Sequence, residues 1–482
     1  MRRGLATAVV SLGLLAGGVL ALRSGMVDGS SGQDPLRAAK SDPRMKNATR
    51  RAPVDGWTQV HLEGTPGEIG YQHGVLLAPE IADLKKVFVL ELSHDTGKDW
   101  NFFRAAARDV LWPHVDAEYR EELQGIADGA TARGVKLDVW DIVAMNADEE
   151  WSYFVEAYDQ AHAIPVPATV VAPDHCSAFV ATGKYTKDGR IVIAHNNWTN
   201  YLDGARWTMV FDIVPAKGYR ILMDGLPGLI HSGDDFSINS MGIVITETTI
   251  TAFHGYDMAG VPEFVRARKA MQYAKSIDDV ARIFKDGNNG GYANDWLIAD
   301  TRKNEIASLE LGLKNVTLER TTDGYFVGSN FPINEKLTAE ETTFPAKDMG
   351  VSANARHKRW EQLMAQNKGK IDAQLAQAFL ADHVDSLTGK TDPSERTLCG
   401  HVEKSARGMG GWQAPYGTAG AVQNKATDAA MAERMSFTAA AGHACGTDFI
   451  AAKHLEQHPD LSWEKPELRD MKAYPWTVIK AE

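Results

Sequence analysis

The sequence predicts an α+β fold, with a mainly helical N-terminal region followed by a strand-rich region into which helices are inserted in blocks. Three observations carry this. Apolar residues recur at helical spacing up to about residue 160. From Cys176 the period becomes two, in short segments rich in Val, Ile, Phe and Thr that end at glycine or Asp-Gly. The strands come in runs and do not alternate singly with helices, which points to stacked layers and away from βαβ units. Hydrophobic residues make up 44% of the 482, aromatics 9% and charged residues 24%, which sets aside disordered, collagen-like and coiled-coil chains.

Met1, Arg2 and Arg3 precede an uncharged apolar run from Leu5 to Leu22, closed by Arg23. Residues 1–23 are read as a signal peptide or membrane anchor, because 18 apolar residues lie at the border between the two and no A-x-A site follows. The protein is therefore expected to be exported: secreted, periplasmic or lumenal, or held at a membrane by this segment. Residues 24–53 are small, polar and basic, with Pro35, Pro43 and Pro53 and no apolar period, and read as a linker. The fold begins near Trp57. A strand is expected at 58–62, helices at 68–89, 119–132 and 138–148, with Gly134 placed to end the second in a left-handed cap.

Strands are expected at 176–182, 191–195, 207–214, 219–222, 243–249, 296–300, 306–311 and 324–328. Helices are expected at 261–276, 277–285, 352–366 and 372–381, and the tail beyond about 460 reads as irregular.

Lys and Arg number 51 against 63 Asp and Glu, a net charge of −12 that argues against nucleic acid as a partner. Only the leader is expected to touch a membrane; the oligomeric state is unknown from sequence. No G-x-S-x-G, G-x-x-x-x-G-K-[ST], G-x-G-x-x-G after a strand, or H-E-x-x-H occurs, so no cofactor and no metal are expected.

Three cysteines in an exported chain leave at least one thiol free. Cys399 and Cys445, each followed by glycine, read as one disulfide, and the nearby His401 and His443 repeat no zinc-ligand spacing. Cys176 remains. It stands where the helical region gives way to the first strand, and reads either as a buried core thiol or as a nucleophile that cleavage of the preceding bond would turn into an N-terminal residue, whose own α-amino group, with a pKa near ~7.7–8, would be the base. The hairpin that follows carries His195, Asn196, Asn197 and Trp198. A two-residue turn at Asp188-Gly189 would keep His195 about 20 Å from Cys176, whereas a wider loop opening at Gly183 would set Cys176 opposite Asn196 with His195 adjacent. His195 also reads as a structural histidine. Polar residues are concentrated at Ser232-Gly233-Asp234-Asp235-Phe236 and at 288–296; both read as turns, yet Asn294 at a strand entry suits an oxyanion donor.

The stretches His175-Cys176-Ser177-Ala178, Ala194-His195-Asn196-Asn197-Trp198, Gly233-Asp234-Asp235-Phe236, 242–249 with its Thr246-Glu247-Thr248-Thr249 run, and Tyr292-Ala293-Asn294-Asp295-Trp296 resemble the phospholipase B-like family of N-terminal nucleophile (Ntn) hydrolases. The stretch from Gly67 to Gly74, and Ser329-Asn330-Phe331 followed by Ser352 and Arg356, look more like its penicillin acyltransferase branch. The resemblance implies a four-layer αββα sandwich with a mainly helical N-terminal pro-segment. It also implies self-cleavage between His175 and Cys176, dividing 54–175 (an A chain) from the catalytic region 176–482 (a B chain), with Cys176 attacking an ester or amide of an acylated small molecule or lipid. Carried over by residue, His195 and Asp212 match polar active-site positions, Thr246 or Thr248 lies in the threonine-bearing strand, and Asn294 matches the oxyanion asparagine. Asn196, Trp198 and Arg356 become substrate or oxyanion candidates. Thr199 stands where acyltransferases carry aspartate, and their later arginine has two counterparts, Arg356 and Arg359. The competing readings are an acyltransferase or amidase acting on N-acyl amines, a papain-like cysteine hydrolase without chain cleavage, and a binding protein on a degenerate hydrolase fold.

Overall fold

The computed structural model describes residues 41–165, 176–233, 236–409 and 413–482. The expected leader and the first part of the linker fall outside these residues, as do His175, Asp234 and Asp235. The rest of the linker, 41–53, is not a tether. Strand β1 (Thr49–Arg50) pairs with β2 (Thr58–Gly64), the Arg44 guanidinium lies 3.5 Å from the Tyr71 ring centroid, and Gln72 Nε2 donates to the Arg44 carbonyl at 2.7 Å. Apolar surface on the following helix holds this segment down.

That helix, α1 (Pro66–Thr96), starts in a capping box between Thr65 and Glu68 and kinks at Leu77, two residues before Pro79. It packs on α2 (Ala117–Ala132) with the backbones nearly touching: a Cβ on Gly70 would lie 1.9 Å from the Glu122 carbonyl oxygen, and Gly74 meets Gly129 in the same way. Helices α3 (Val139–Asn146), capped by Asp138, and α4 (Trp151–Ala161) complete the N-terminal block.

From Cys176 the chain forms β3 (Ser177–Ala181), β4 (Val192–Asn200), β5 (Met209–Pro215), β6 (Ile221–Gly225), β7 (Phe236–Asn239) and β8 (Ile243–Thr249), then α5 (Glu263–Tyr273) and α6 (Ile277–Lys285). It continues through β9 (Asn294–Asp300), β10 (Glu305–Leu311), β11 (Val316–Thr321) and β12 (Tyr325–Gly328) to α7 (Ser352–Gln366) and α8 (Ala373–Leu380), and ends with β13 (Ala419–Asp428), β14 (Ser436–Ala441) and β15 (Thr477–Lys480). Two sheets result: nine strands in the order β1-β2-β5-β6-β7-β8-β9-β10-β11, and six in the order β12-β3-β4-β13-β14-β15. All pairings are antiparallel except β2 with β5.

Both sheets are apolar on both faces, and alternation along each strand says what each face meets. Val210, Leu222, Val244 and Leu297 of the larger sheet share one core with Val180, Ile193 and Phe437 of the smaller. The alternate residues Ile243, Ile245 and Ile298 face Ile69, Leu84, Ile126 and Phe264 of the helices. On the far side of the smaller sheet Phe179 and Ala194 pack on Trp360 of α7 and Phe379 of α8. Burying one such side chain contributes roughly 1.5–3 kcal/mol. No helix among the described residues is long and apolar enough to cross a membrane.

Six strands among the described residues went unread in the sequence. β13 places Gln423, Asn424 and Lys425 inside the protein, so its polar content hides it, β7 is only four residues long, and β15 lies in the tail expected to be irregular. Strand β2, from the N-terminal region, is embedded in the larger sheet between β1 and β5.

Candidate active site

Cys176 is buried and immediately precedes β3, with φ of 72°, a left-handed conformation that costs a non-glycine residue strain. The loop to β4 is wide: the pairing ends at Ala181 with Val192, and Gly183 and Gly189 both take positive φ. The register pairs Ser177 with Asn196 and Ala178 with His195, one residue away from the wider-loop pairing foreseen above. His195 therefore does reach Cys176.

The third member of the group comes from the other sheet. Donor atoms of Cys176, His195 and Glu247 all lie within 4.8 Å of one another, and Cys176 Sγ is 3.7 Å from Glu247 Oε1. The two sheets can meet here because Gly328 has no side chain; a Cβ there would lie 2.4 Å from Thr248 Oγ1. Glu247 is also contacted by Tyr292 Oη at 3.3 Å, which accepts from Thr249 Oγ1 at 2.7 Å.

Arg356, fully buried on α7, spreads its donors over the start of β3. Nη1 reaches the Cys176 carbonyl at 2.5 Å and Ser177 Oγ at 3.0 Å, Nη2 reaches Asn330 Oδ1 at 2.7 Å, and Nε reaches Ser352 Oγ at 2.9 Å. Trp198 closes one side, its ring 4.4 Å from the guanidinium carbon. Arg356 thus holds the main chain at Cys176, with its in-plane donors on Ser177, Asn330 and Ser352 as well. Asn196 is a brace as well, donating from Nδ2 to the Leu380 and Leu398 carbonyls at 2.9 and 3.1 Å.

Burial, with the charge of Lys425 nearby, holds the His195 imidazole well below its ordinary value, so the ring is neutral. Lys425 itself is buried and paired with Asp224 at 3.1 Å. Asn294 stands opposite Thr249 at the entry of β9, fully buried, and neither atom of its amide has a hydrogen-bond partner. A buried amide without partners is costly to the fold and available to a ligand.

Other expected residues stand elsewhere. Asp212 is fully occupied by His61 Nδ1 at 2.9 Å, by Arg220 at 2.7 and 2.6 Å and by the Glu482 N–H at 2.8 Å, a network near the edge of the large sheet. Thr246 lies opposite Phe236 and Leu297. Of the 246–249 run it is Glu247, between the two threonines singled out, that meets the thiol. Tyr292 and Asn330 were not assigned roles from sequence. The expected Cys399–Cys445 bridge is not formed: both are free thiols, and both sulfurs approach His401 Nε2, at 3.6 and 3.5 Å.

The family model described as Phospholipase B matches residues 99–475, most of the chain, including Cys176, His195, Glu247, Asn294 and Arg356. The chain belongs to the phospholipase B family. Among curated relatives of this family member are phospholipase B-like protein A of Dictyostelium discoideum, 24% identical over 41% of this chain and 40% of that protein, and human phospholipase B-like 1, 29% identical over 34% and 33%. The matched region spans less than half the length of either. Among solved structures, a conjugated bile acid hydrolase from Clostridium perfringens aligns over 55% of this chain and 88% of its own, at 12% identity and a TM-score of 0.31.

Proposed function

We propose that this chain is an autoproteolytically activated acyl hydrolase of the Ntn type, folded as an αββα sandwich and exported by its leader. In this reading the peptide bond before Cys176 is cleaved and the freed cysteine attacks ester or amide carbonyls of lipid or other acylated substrates. Membership of the phospholipase B family supports the hydrolase class. The observation that carries the mechanism is Cys176 itself: buried, strained at φ 72°, its carbonyl clamped by Arg356 and its thiol beside Glu247 and His195. Cleaving the bond before Cys176 abolishes the dihedral that carries the strain, so the strain favours that step. After cleavage the α-amino group takes the thiol proton, the sulfur adds to the carbonyl, and Asn294 donates to the oxyanion. The tetrahedral intermediate collapses to an acyl-thioester, expelling the alcohol or amine with the proton returned from the α-ammonium, and the thioester is then hydrolysed by water or, with an amine as acceptor, transferred.

A second reading keeps the chain whole and uses neutral His195 as the base for Cys176, favoured by the same close grouping. Intact mass and N-terminal sequencing separate the two. A fragment beginning Cys176-Ser177-Ala178 that is absent from Cys176→Ala is expected; active, wholly uncleaved wild-type protein would overturn the Ntn mechanism.

A further inference from the structure

The two thiols that do not form a bridge belong to a group of four. His383, just beyond α8, Cys399 and His401, in the long connection to β13, and Cys445, after β14, place one donor atom each within 4.8 Å of one another. Cys399 and His401 are fully buried, and His383 Nε2 is a buried atom with no hydrogen-bond partner.

The tautomer of His401 shows what the group lacks. Its Nδ1 lies 2.8 Å from Glu403 Oε1, and Glu403 is fixed in turn by Tyr201, whose hydroxyl donates to Oε2 at 2.7 Å. A carboxylate can only accept, so Nδ1 carries the proton and Nε2 presents a lone pair to the two sulfurs. That one lone pair serves at most one S–H; the Cys445 thiol has Thr447 Oγ1 as a second acceptor at 3.3 Å, and His383 Nε2 is still left unmet. A single cation would satisfy all four. A tetrahedral ion with bonds of about 2.3 Å to sulfur and about 2.0 Å to nitrogen sets N···S edges of about 3.5 Å. The distances from His401 Nε2 to Cys399 and Cys445 are 3.6 and 3.5 Å.

We propose that His383, Cys399, His401 and Cys445 form a tetrahedral structural site for a divalent ion of the zinc class, with Glu403 positioning His401. Two thiolates and two imidazoles suit such an ion, and the carboxylate behind the histidine is the usual outer support of a metal-bound imidazole. Binding releases the two thiol protons and leaves a site with no net charge. With four protein ligands it has no open position for chemistry. Its effect is to tie the connection between α8 and β13 to the end of β14. The Leu380 and Leu398 carbonyls that anchor Asn196, beside His195, lie in and next to that connection.

The test is metal analysis and native mass of the full chain, then removal of metal by a chelator under reducing conditions and titration with Co(II). One Zn(II) per chain is expected, and in its place the absorption of tetrahedral Co(II) with sulfur-to-metal charge-transfer bands. Cys445→Ser and His383→Ala should bring the stoichiometry from near one to near zero, Glu403→Gln should weaken affinity about 10–100-fold, and Cys176→Ala should retain the metal. The Co(II) titration needs no variant, so a misfolded mutant leaves the proposal testable. Failure of the reduced wild type to bind Co(II), a native metal-free protein two hydrogens lighter through a Cys399–Cys445 disulfide, or loss of the metal with Cys176→Ala would each overturn it.

Discussion

Arg356 Nη1 donates to the backbone carbonyl of Cys176 at 2.5 Å, so the main chain of this cysteine is held from α7 while its thiol faces the opposite sheet. A planar fork with donors in fixed directions is what such a task needs, since its other donors are taken up by Ser177, Asn330 and Ser352.

Arg356→Lys keeps the charge but loses the fork. At least one of those buried acceptors is then left unmet, which should cost about 1–3 kcal/mol of stability. The chain beginning at Cys176 should also accumulate more slowly. Thermal unfolding and a time course of the cleaved fragment read the two effects; normal values for both would show that the clamp is dispensable.

Asn294→Ala should lower kcat by about 10²-fold with a smaller change in KM, because the donor's bond strengthens only as charge develops on the oxygen. The fold loses no hydrogen bond, since neither amide atom has one. Normal kcat on acyl esters and amides alike would show that Asn294 is not the oxyanion donor.

Stability should fall at both ends of the pH range. Burial works against ionisation of Asp212, but His61 and Arg220 hold it down at about 2, so its stabilisation is present above the unfolded value of 3.8 and is lost as pH drops toward 2. Burial, with Glu310 alongside, pushes Asp295 up to about 8, so its contribution is full below 3.8 and is lost as pH rises through 8. Asp295→Asn should flatten the fall of Tm between the unfolded value of 3.8 and about 8, and Asp212→Asn the fall between 3.8 and about 2. Turnover should survive Asp212→Asn, because its partners are His61, Arg220 and Glu482; a collapse of kcat in a stably folded variant would return Asp212 to the active site.

Much of this was legible in the chain. The change from helical to twofold periodicity at Cys176 marks the junction where the site stands, and Asn294 between glycine-rich turn and strand can be picked out because a polar residue there breaks the pattern. Local signals fail where residues are buried for reasons that lie elsewhere: β13 is hidden because Gln423 and Lys425 are buried among polar partners of their own, Lys425 Nζ donating to Asp224 Oδ2 and to Gln423 Oε1.

The sequence by itself determined the α+β class, the junction cysteine, the hairpin that carries His195 and the asparagine at the strand entry, since composition and periodicity are properties of contiguous residues. Only the tertiary structure decided that Glu247 and not its neighbouring threonines meets the thiol, that Asp212 serves His61 and Arg220, and that Cys399 and Cys445 converge on His401. Those outcomes depend on strand register and on how two sheets cross, and a shift of one residue in either turns every side chain to the other face.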